Sequence, residues 1–219
     1  REQKRMDKQC VARIVSLRVV EEIYKETNKR FIPAAASNRH MHLAREEIDR
    51  LFGAGYKLNE FKPLSQPGQY AAKETVDIAG PKGTIKGVRV LGPERKETQV
   101  EIFYADSYKL GIKPVIKMSG DIFGTPGAKL IGPNGEAELT SGVIVAARHL
   151  HISNEQSNWF GLKNGDIISV RKDGARALVL ENIPVRCGEG HSLELHLDIE
   201  EANAGVIKNG DLLELVDIK

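Results

Sequence analysis

Short apolar stretches separated by glycine and proline turns dominate the chain from Phe31 onward, for example in residues 84–91 and 99–102. Helical patterns are brief there, and residues 45–51 form the clearest one. Many short strands with close turns favour a barrel or a sandwich over an alternating βαβ sheet. The turn signals recur at Gln66-Pro67-Gly68, Gly80-Pro81-Lys82-Gly83, Gly92-Pro93 and Gly132-Pro133-Asn134-Gly135.

Composition excludes several classes of protein. The 219 residues are 41% apolar and 28% charged, which suits one large or two modest globular domains. No apolar run approaches the roughly 20 residues that cross a bilayer, and no secretory signal is evident, so we expect no membrane partner. Cys10 and Cys187 form no metal-binding or disulfide pattern. Aromatic content of 5% and a net charge of +2 argue against nucleic-acid binding.

Residues 1–30 differ from the rest because they are basic and helical in pattern, with no glycine or proline. They predict an amphipathic N-terminal extension with two apolar lines. The helix either packs on its own domain or a dimer mate, or serves as a detachable tag for a partner surface. Acidic residues on its polar face weaken a membrane-surface interpretation. The two lines consist of Met6, Cys10, Ile14, Leu17, Val20 and Tyr24, and of Val11, Val15, Val19 and Ile23.

The chain contains two matched His-x-His pairs, His40/His42 and His149/His151. The number of residues from His40 to His149 equals the number from His42 to His151. Residues two apart on a strand point to the same side, so each pair can direct two imidazoles at one ion. Neutral imidazole is the commonest metal ligand, and the duplication favours a site for one or two zinc-like ions. For either pair alone, the alternative to a metal site is a pair of ordinary surface or core histidines whose ring nitrogens are hydrogen-bonded.

Alternation along two further strands adds candidate side chains. In residues 193–198 the leucines share one face, which leaves His196 on the other with Glu194 and Asp198 as possible supporting carboxylates. If residues 95–101 form one strand, one face of it places a guanidinium that could bind an oxyanion beside a carboxylate that could bind a metal. The alternative is a solvated polar face without a binding role. That face would carry Arg95, Glu97, Gln99 and Glu101. His191, in an expected loop, is given no role.

These residues match a known pattern. Over residues 32–217 the chain resembles the phosphotransacylases of the propanediol-utilisation type, the phosphate propanoyltransferases of bacterial microcompartments. The resemblance is carried by Ser37-Asn38-Arg39-His40-Met41-His42-Leu43, Leu64-Ser65-Gln66-Pro67-Gly68-Gln69-Tyr70-Ala71-Ala72, Val90-Leu91-Gly92-Pro93, Gln99-Val100-Glu101-Ile102, Ser119-Gly120-Asp121, Gly142-Val143-Ile144-Val145-Ala146 and Leu193-Glu194-Leu195-His196.

The resemblance implies a mostly β protein with two small β-barrel domains capped by short helices, plus the N-terminal amphipathic helix. The expected domains are the extension at 1–30, a discontinuous first barrel at 31–38 and 147–219, and a second barrel at 39–146. A dinuclear zinc site in the crevice between the barrels is also implied.

Carried over by motif, one zinc ion would be bound by His40, His42 and Glu101, and the other by His149, His151 and His196. Arg95 would hold phosphate. Supporting polar groups would be Gln99, Ser119 and Arg186, and Gln66 and Gln69 would line the pocket.

The implied reaction converts acyl-CoA and phosphate, reversibly, into acyl phosphate and coenzyme A, with propionyl-CoA as the expected donor. The resemblance further implies a homodimer or higher homo-oligomer in the microcompartment lumen, with residues 1–30 contacting the shell or co-encapsulated enzymes. Two other functions stay open on the residues: a dizinc thioester hydrolase, and a metal-organised scaffold without activity.

Overall fold

The computed structural model describes the backbone of residues 8–219 and the side chains of residues 18–219. Within that range the chain is mostly β, with short helices, which confirms the predicted fold class. The helices are α1 (Lys8–Thr27), α2 (Arg45–Phe52), α3 (Tyr104–Leu110), α4 (Asn154–Phe160) and α5 (Ile199–Ala204).

Most of the strands are short, as the turn signals predicted. They are β1 (Phe31–Ser37), β2 (His40–Ala44), β3 (Glu60–Pro63), β4 (Tyr70–Ala79), β5 (Thr84–Arg95), β6 (Gln99–Ile102), β7 (Ile116–Lys117), β8 (Ala128–Ile131), β9 (Glu136–Leu139), β10 (Val143–Ala146), β11 (His149–Ile152), β12 (Ile167–Lys172), β13 (Leu178–Cys187), β14 (Glu194–Asp198) and β15 (Leu212–Ile218).

Contacts between Cα atoms divide the described chain into two units. The first comprises the described residues up to Ser37 together with Ser65–Pro67 and Arg148–Lys219. The second comprises Asn38–Leu64 and Gly68–Ala147. Residues 65–67, which the expected boundaries left in the second barrel, therefore belong to the first unit.

The first unit is a closed barrel in the strand order β1-β14-β11-β13-β12-β15. Alternation along β14 buries Leu195 and Leu197 and leaves Glu194 and His196 on the other face, as predicted. The core is largely aliphatic, and its fully buried residues include Ile32, Leu150, Ile152, Ile168, Ile183 and Leu213.

The second unit is a half-barrel, a nine-stranded sheet in the order β7-β10-β6-β2-β5-β4-β8-β9 with β3 on β4. Strand β2 lies at its centre, parallel to β5 and antiparallel to β6. The expected single strand over 95–101 is wrong: β5 ends at Arg95 and β6 begins at Gln99. The bend is stabilised by Thr98, whose hydroxyl accepts from the Ala44 amide at 2.8 Å and donates to Glu47.

Helix α1 packs on the first unit along its C-terminal half, the half whose side chains are described. Val20 is buried, and the Tyr24 ring meets the Trp159 ring edge-on at 4.8 Å between centroids. Lys29, just after the helix, pairs with Glu214 at 2.9 Å. The predicted apolar residues up to Leu17 lie outside the described side chains, and Met6 lies outside the described backbone. None of the described helices combines the length and apolarity that crossing a bilayer requires.

Candidate active site

Strands β2 and β6 gather His40, His42 and Glu101 into a group that we call the carboxylate triad. The two histidines share one face of β2, and antiparallel pairing sets His40 opposite Glu101. One ligand atom from each residue lies within 4.8 Å of the others, and His40 Nε2 is 3.3 Å from Glu101 Oε2. His42 and Glu101 are buried.

Hydrogen bonds, charge and burial shift the pKa values of these three side chains in different directions. His40 Nδ1 lies 2.8 Å from the Asn38 carbonyl, which can only accept, so Nδ1 carries the hydrogen and Nε2 faces Glu101. Burial lowers the pKa of His40, but the charge and hydrogen bond of Glu101 outweigh it and raise that pKa. Burial and the nearby charges of His40 and Arg95 lower the pKa of His42 to about 3. Burial opposes ionisation of Glu101, yet attraction to His40 holds its pKa well below the usual range.

Strands β11 and β14 gather His149, His151 and His196 into a second group, the imidazole triad. His149 pairs with His196 across the two strands, and the Nε2 atoms of His149 and His151 are 3.0 Å apart. Burial, followed by the neighbouring imidazoles, lowers the pKa of His151 to about 2. His151 is therefore neutral across the physiological range.

A carboxylate supports the imidazole triad from the same face of β14. Glu194 accepts a hydrogen bond from His196 Nε2 at 2.7 Å and another from Gln66 Nε2 at 3.2 Å. The Ser65 hydroxyl donates to the same carboxylate oxygen. Burial raises the pKa of Glu194, but these hydrogen bonds and the His196 charge outweigh burial and lower it.

Both triads fit a zinc ion by donor chemistry and spacing. Zinc–nitrogen bonds of 2.0–2.1 Å in a tetrahedron set ligand atoms roughly 3.4 Å apart, close to the 3.3 Å and 3.0 Å separations found here. Among the described side chains, the buried Nδ1 atoms of His42 and His151 have no hydrogen-bond partner. A buried ring nitrogen without a partner is costly unless something else satisfies it, and at His42 a cation would do so.

A polar cluster adjoins the carboxylate triad. The buried Gln99 amide donates to Glu101 at 2.7 Å and to the Ser119 hydroxyl at 2.9 Å, and its oxygen accepts from the Gly120 amide at 2.7 Å. Arg95 reaches the Ser119 hydroxyl at 3.5 Å. These groups border a cleft of about 390 Å³ lined by Glu94, Arg95, Lys96, Glu97, Gln99, Gly120 and Ile122.

The remaining predicted residues lie in different settings. Arg186, on β13, is paired in register with His151, and its charge contributes to the low pKa of that imidazole. Gln66 is buried in the first unit. Its side-chain nitrogen donates hydrogen bonds to the Ser192 carbonyl and to Glu194, and its side-chain oxygen accepts one from the Ser192 amide. Gln69 is half-buried in the second unit, where its carbonyl accepts from the Leu64 amide.

Comparison with known proteins identifies the family of this chain. The family model for phosphate propanoyltransferase matches residues 33–208. The chain belongs to the phosphate propanoyltransferase family. It is similar to the phosphate propanoyltransferase of Thermotoga maritima, with 48% identity covering 90% of this chain and 95% of the relative. It is 47% identical to that of Rhodobacter capsulatus over 87% of this chain and 88% of the relative, and 45% identical to that of Salmonella typhimurium over 87% and 90%. The predicted family and enzyme class, a phosphate acyltransferase, are confirmed.

The sequence of this phosphate propanoyltransferase family member did not reveal that two further residues lie near the imidazole triad. The His191 ring lies 4.5 Å from the His151 ring, and its Nδ1 is 3.0 Å from the Arg186 carbonyl. Ser65 donates to Glu194 from a distant turn. No local pattern signals either residue, because His191 lies in a loop where alternation does not apply and Ser65 is 129 positions from its partner.

Proposed function

We propose that this enzyme transfers an acyl group reversibly between coenzyme A and phosphate, with propionyl-CoA as the donor. The observation that carries the proposal is Arg95, a fixed cation at a cleft shared with Gln99 and beside the carboxylate triad. A guanidinium matches the geometry of phosphate oxygens, whereas attack by water requires no such group. Relatives named phosphate propanoyltransferase support the same reaction.

The reaction is a direct transfer. A phosphate oxygen attacks the thioester carbon, a carbon–oxygen bond forms, and the carbon–sulfur bond breaks with its electron pair going to sulfur. The phosphate proton finally resides on the released thiol. Arg95 binds phosphate and sets the direction of attack, which replaces a bimolecular encounter with a positioned one. Ser119, held by Gln99 and contacted by Arg95, keeps the guanidinium in place.

Two zinc ions per chain complete the proposal, one in the carboxylate triad and one in the imidazole triad. Bound zinc supplies Lewis-acid stabilisation of the thioester oxygen and of the departing sulfur. The lowered pKa values of His42 and His151 keep both imidazoles neutral. Only a neutral imidazole offers a lone pair to a cation. Glu101 is held ionised for the same reason.

The surrounding residues and partners extend the proposal. Arg186 contributes positive charge beside the imidazole triad for coenzyme A or acyl phosphate, and Gln69 lines the substrate pocket. Gln66 is proposed to contribute to substrate binding as well, and its side-chain amide also supports Glu194. The family resemblance supports a homo-oligomer, most simply a homodimer, in the lumen of a bacterial microcompartment, with residues 1–30 contacting the shell or co-encapsulated enzymes.

A coenzyme A release assay tests the function. Propionyl-CoA and acetyl-CoA are supplied with and without phosphate, before and after chelation, while hydroxylamine traps acyl phosphate. We expect phosphate-dependent release, accumulation of acyl phosphate, loss of activity on chelation, and about two zinc ions per chain by elemental analysis. Release without phosphate would indicate a thioester hydrolase, no release at all would indicate a scaffold, and activity in zinc-free protein would remove the metal from the proposal.

A further inference from the structure

The cleft beside Arg95 is polar on every side but one. Its lining side chains are charged or amide-bearing, and Gly120 presents only backbone. Among the described residues that line this cleft, Ile122 alone presents a hydrocarbon side chain. It is half-buried, so it offers apolar surface to the cleft without being exposed to solvent on all sides.

The segment that carries Ile122 is anchored at both ends. On one side, the Gly120 amide donates to Gln99 at 2.7 Å, and the Asp121 amide donates to the Met118 carbonyl at 2.9 Å. On the other side, the Thr125 hydroxyl donates to the Ile122 carbonyl at 2.7 Å and accepts from the Gly142 amide at 2.9 Å. Ile122 is therefore held at a defined position relative to Gln99, rather than at the end of a free loop.

We propose that Ile122 contacts the alkyl end of the acyl group and sets its preferred length. The inference rests on the proposed function, because it takes Arg95 as the phosphate site. Only a few bonds separate the phosphorus from the terminal carbon of a short acyl phosphate. A phosphate held by Arg95 therefore leaves the alkyl end within the same cleft, where Ile122 is the side chain that can remove it from water.

Substitutions at this position test the inference through the ratio of kcat/KM for propionyl-CoA to that for acetyl-CoA. One methylene in an apolar pocket discriminates by roughly 10-fold or more. We expect Ile122→Ala to lower the ratio several-fold, mainly by weakening propionyl transfer. Ile122→Val should shift the ratio less in the same direction, and Ile122→Phe should exclude butyryl-CoA more strongly than acetyl-CoA. Circular dichroism and zinc content check that each variant is folded.

Phe123 provides the matched control. It is the next residue, 87% exposed, and it does not line the cleft. Phe123→Ala should leave the ratio at the wild-type value. If the Ile122 variants reduce kcat/KM equally for all acyl chains, or leave the ratio unchanged, Ile122 does not contact the acyl group and the inference is overturned. A wild-type enzyme that releases no coenzyme A with phosphate would instead overturn the proposed function itself.

Discussion

The two triads use the same alternation of a His-x-His strand but differ in their third residue. The carboxylate triad contains Glu101, which raises the pKa of His40 and remains ionised itself. The imidazole triad contains only imidazole donors, and its carboxylate, Glu194, lies behind His196 rather than within the triad. A carboxylate ligand adds Coulomb attraction for a dication that imidazoles do not supply. We therefore infer that the carboxylate triad holds its cation more tightly and that the imidazole triad releases zinc first on chelation.

The largest effect is expected from Glu101→Gln, which keeps the shape of the side chain and removes its charge. We expect bound zinc to fall from about two to about one per chain and activity to fall by roughly 10³-fold. Elemental analysis and the coenzyme A release assay measure the two effects. The exposed Glu138 supplies the control, since Glu138→Gln should change neither quantity. Full zinc content and turnover in Glu101→Gln would show that the carboxylate is not a ligand.

Arg95→Ala should be the next largest change, since it removes the phosphate contact but no metal ligand. We expect kcat/KM for phosphate to fall by about 10²–10³-fold with zinc content intact. Arg95→Lys should recover only part of this loss, because an ammonium keeps the charge but not the planar fork. Arg186→Ala, beside the imidazole triad, should affect phosphate less. Equal losses in the two alanine variants would mean that phosphate is not held mainly by Arg95.

The sequence predicted that each histidine pair shares one face of a strand, because that depends on a local rule. Alternation alone puts His40 with His42, and His149 with His151, and it turns His196 away from the buried leucines. The family resemblance then supplied Glu101 as a partner of the first pair. Short-range regularity was sufficient wherever the paired histidines lie on a single strand.

Sequence reasoning failed where long-range pairing decides the structure. Residues 95–101 read as one alternating strand, but β5 and β6 flank β2 on opposite sides, so the chain has to bend after Arg95 to pass it. Nothing local specifies that β2 lies between them. His191 and Ser65 were missed for a similar reason, since a loop and a distant turn bring them to the imidazole triad.

Glu194→Gln tests the support behind the imidazole triad. Loss of a carboxylate that orients a metal-binding histidine typically costs 10–100-fold in metal affinity. We expect zinc affinity at the imidazole triad to fall by roughly that factor, while the carboxylate triad keeps its zinc. Competition with a chromophoric chelator resolves the two classes of site. Glu181→Gln, an exposed change in the same barrel, is the control, and an unchanged affinity in Glu194→Gln would show that His196 is oriented without it.

Acid should destabilise the zinc-free protein through its neutral imidazoles. The pKa of His42 is about 3 in the fold, so between there and its ordinary value of 6.5 the unfolded chain binds a proton that the folded chain does not. The free energy of unfolding therefore falls as pH falls, by about 2 kcal/mol per such imidazole between pH 8 and pH 5. His151 acts in the same direction.

His40 should act on stability in the opposite direction to His42 and His151. His40 has a raised pKa, so its stabilising contribution is fully present at low pH and is lost as pH rises through its folded-state value. It opposes the effect of His42. Urea unfolding of chelated protein at pH 8 and pH 5 measures this. His151→Gln should flatten the pH dependence, and His40→Gln should steepen it. A steeper curve for His151→Gln would contradict the assignment.

The smallest effect is expected from Tyr24→Ala, which removes the ring contact between α1 and Trp159. Edge-to-face aromatic pairs contribute about 1 kcal/mol beyond the area they bury, so the first unit should lose roughly that much stability and the second unit none. Hydrogen exchange reports the units separately, through the amides of β1 and of β6. Tyr108→Ala, on the exposed face of α3, should leave β1 unchanged. If Tyr24→Ala also leaves β1 unchanged, the ring contact contributes nothing measurable to the barrel and the tag interpretation of residues 1–30 is favoured. If it lowers protection in β1 alone, the described half of α1 is part of the first unit, and a tag has to lie nearer the N-terminus.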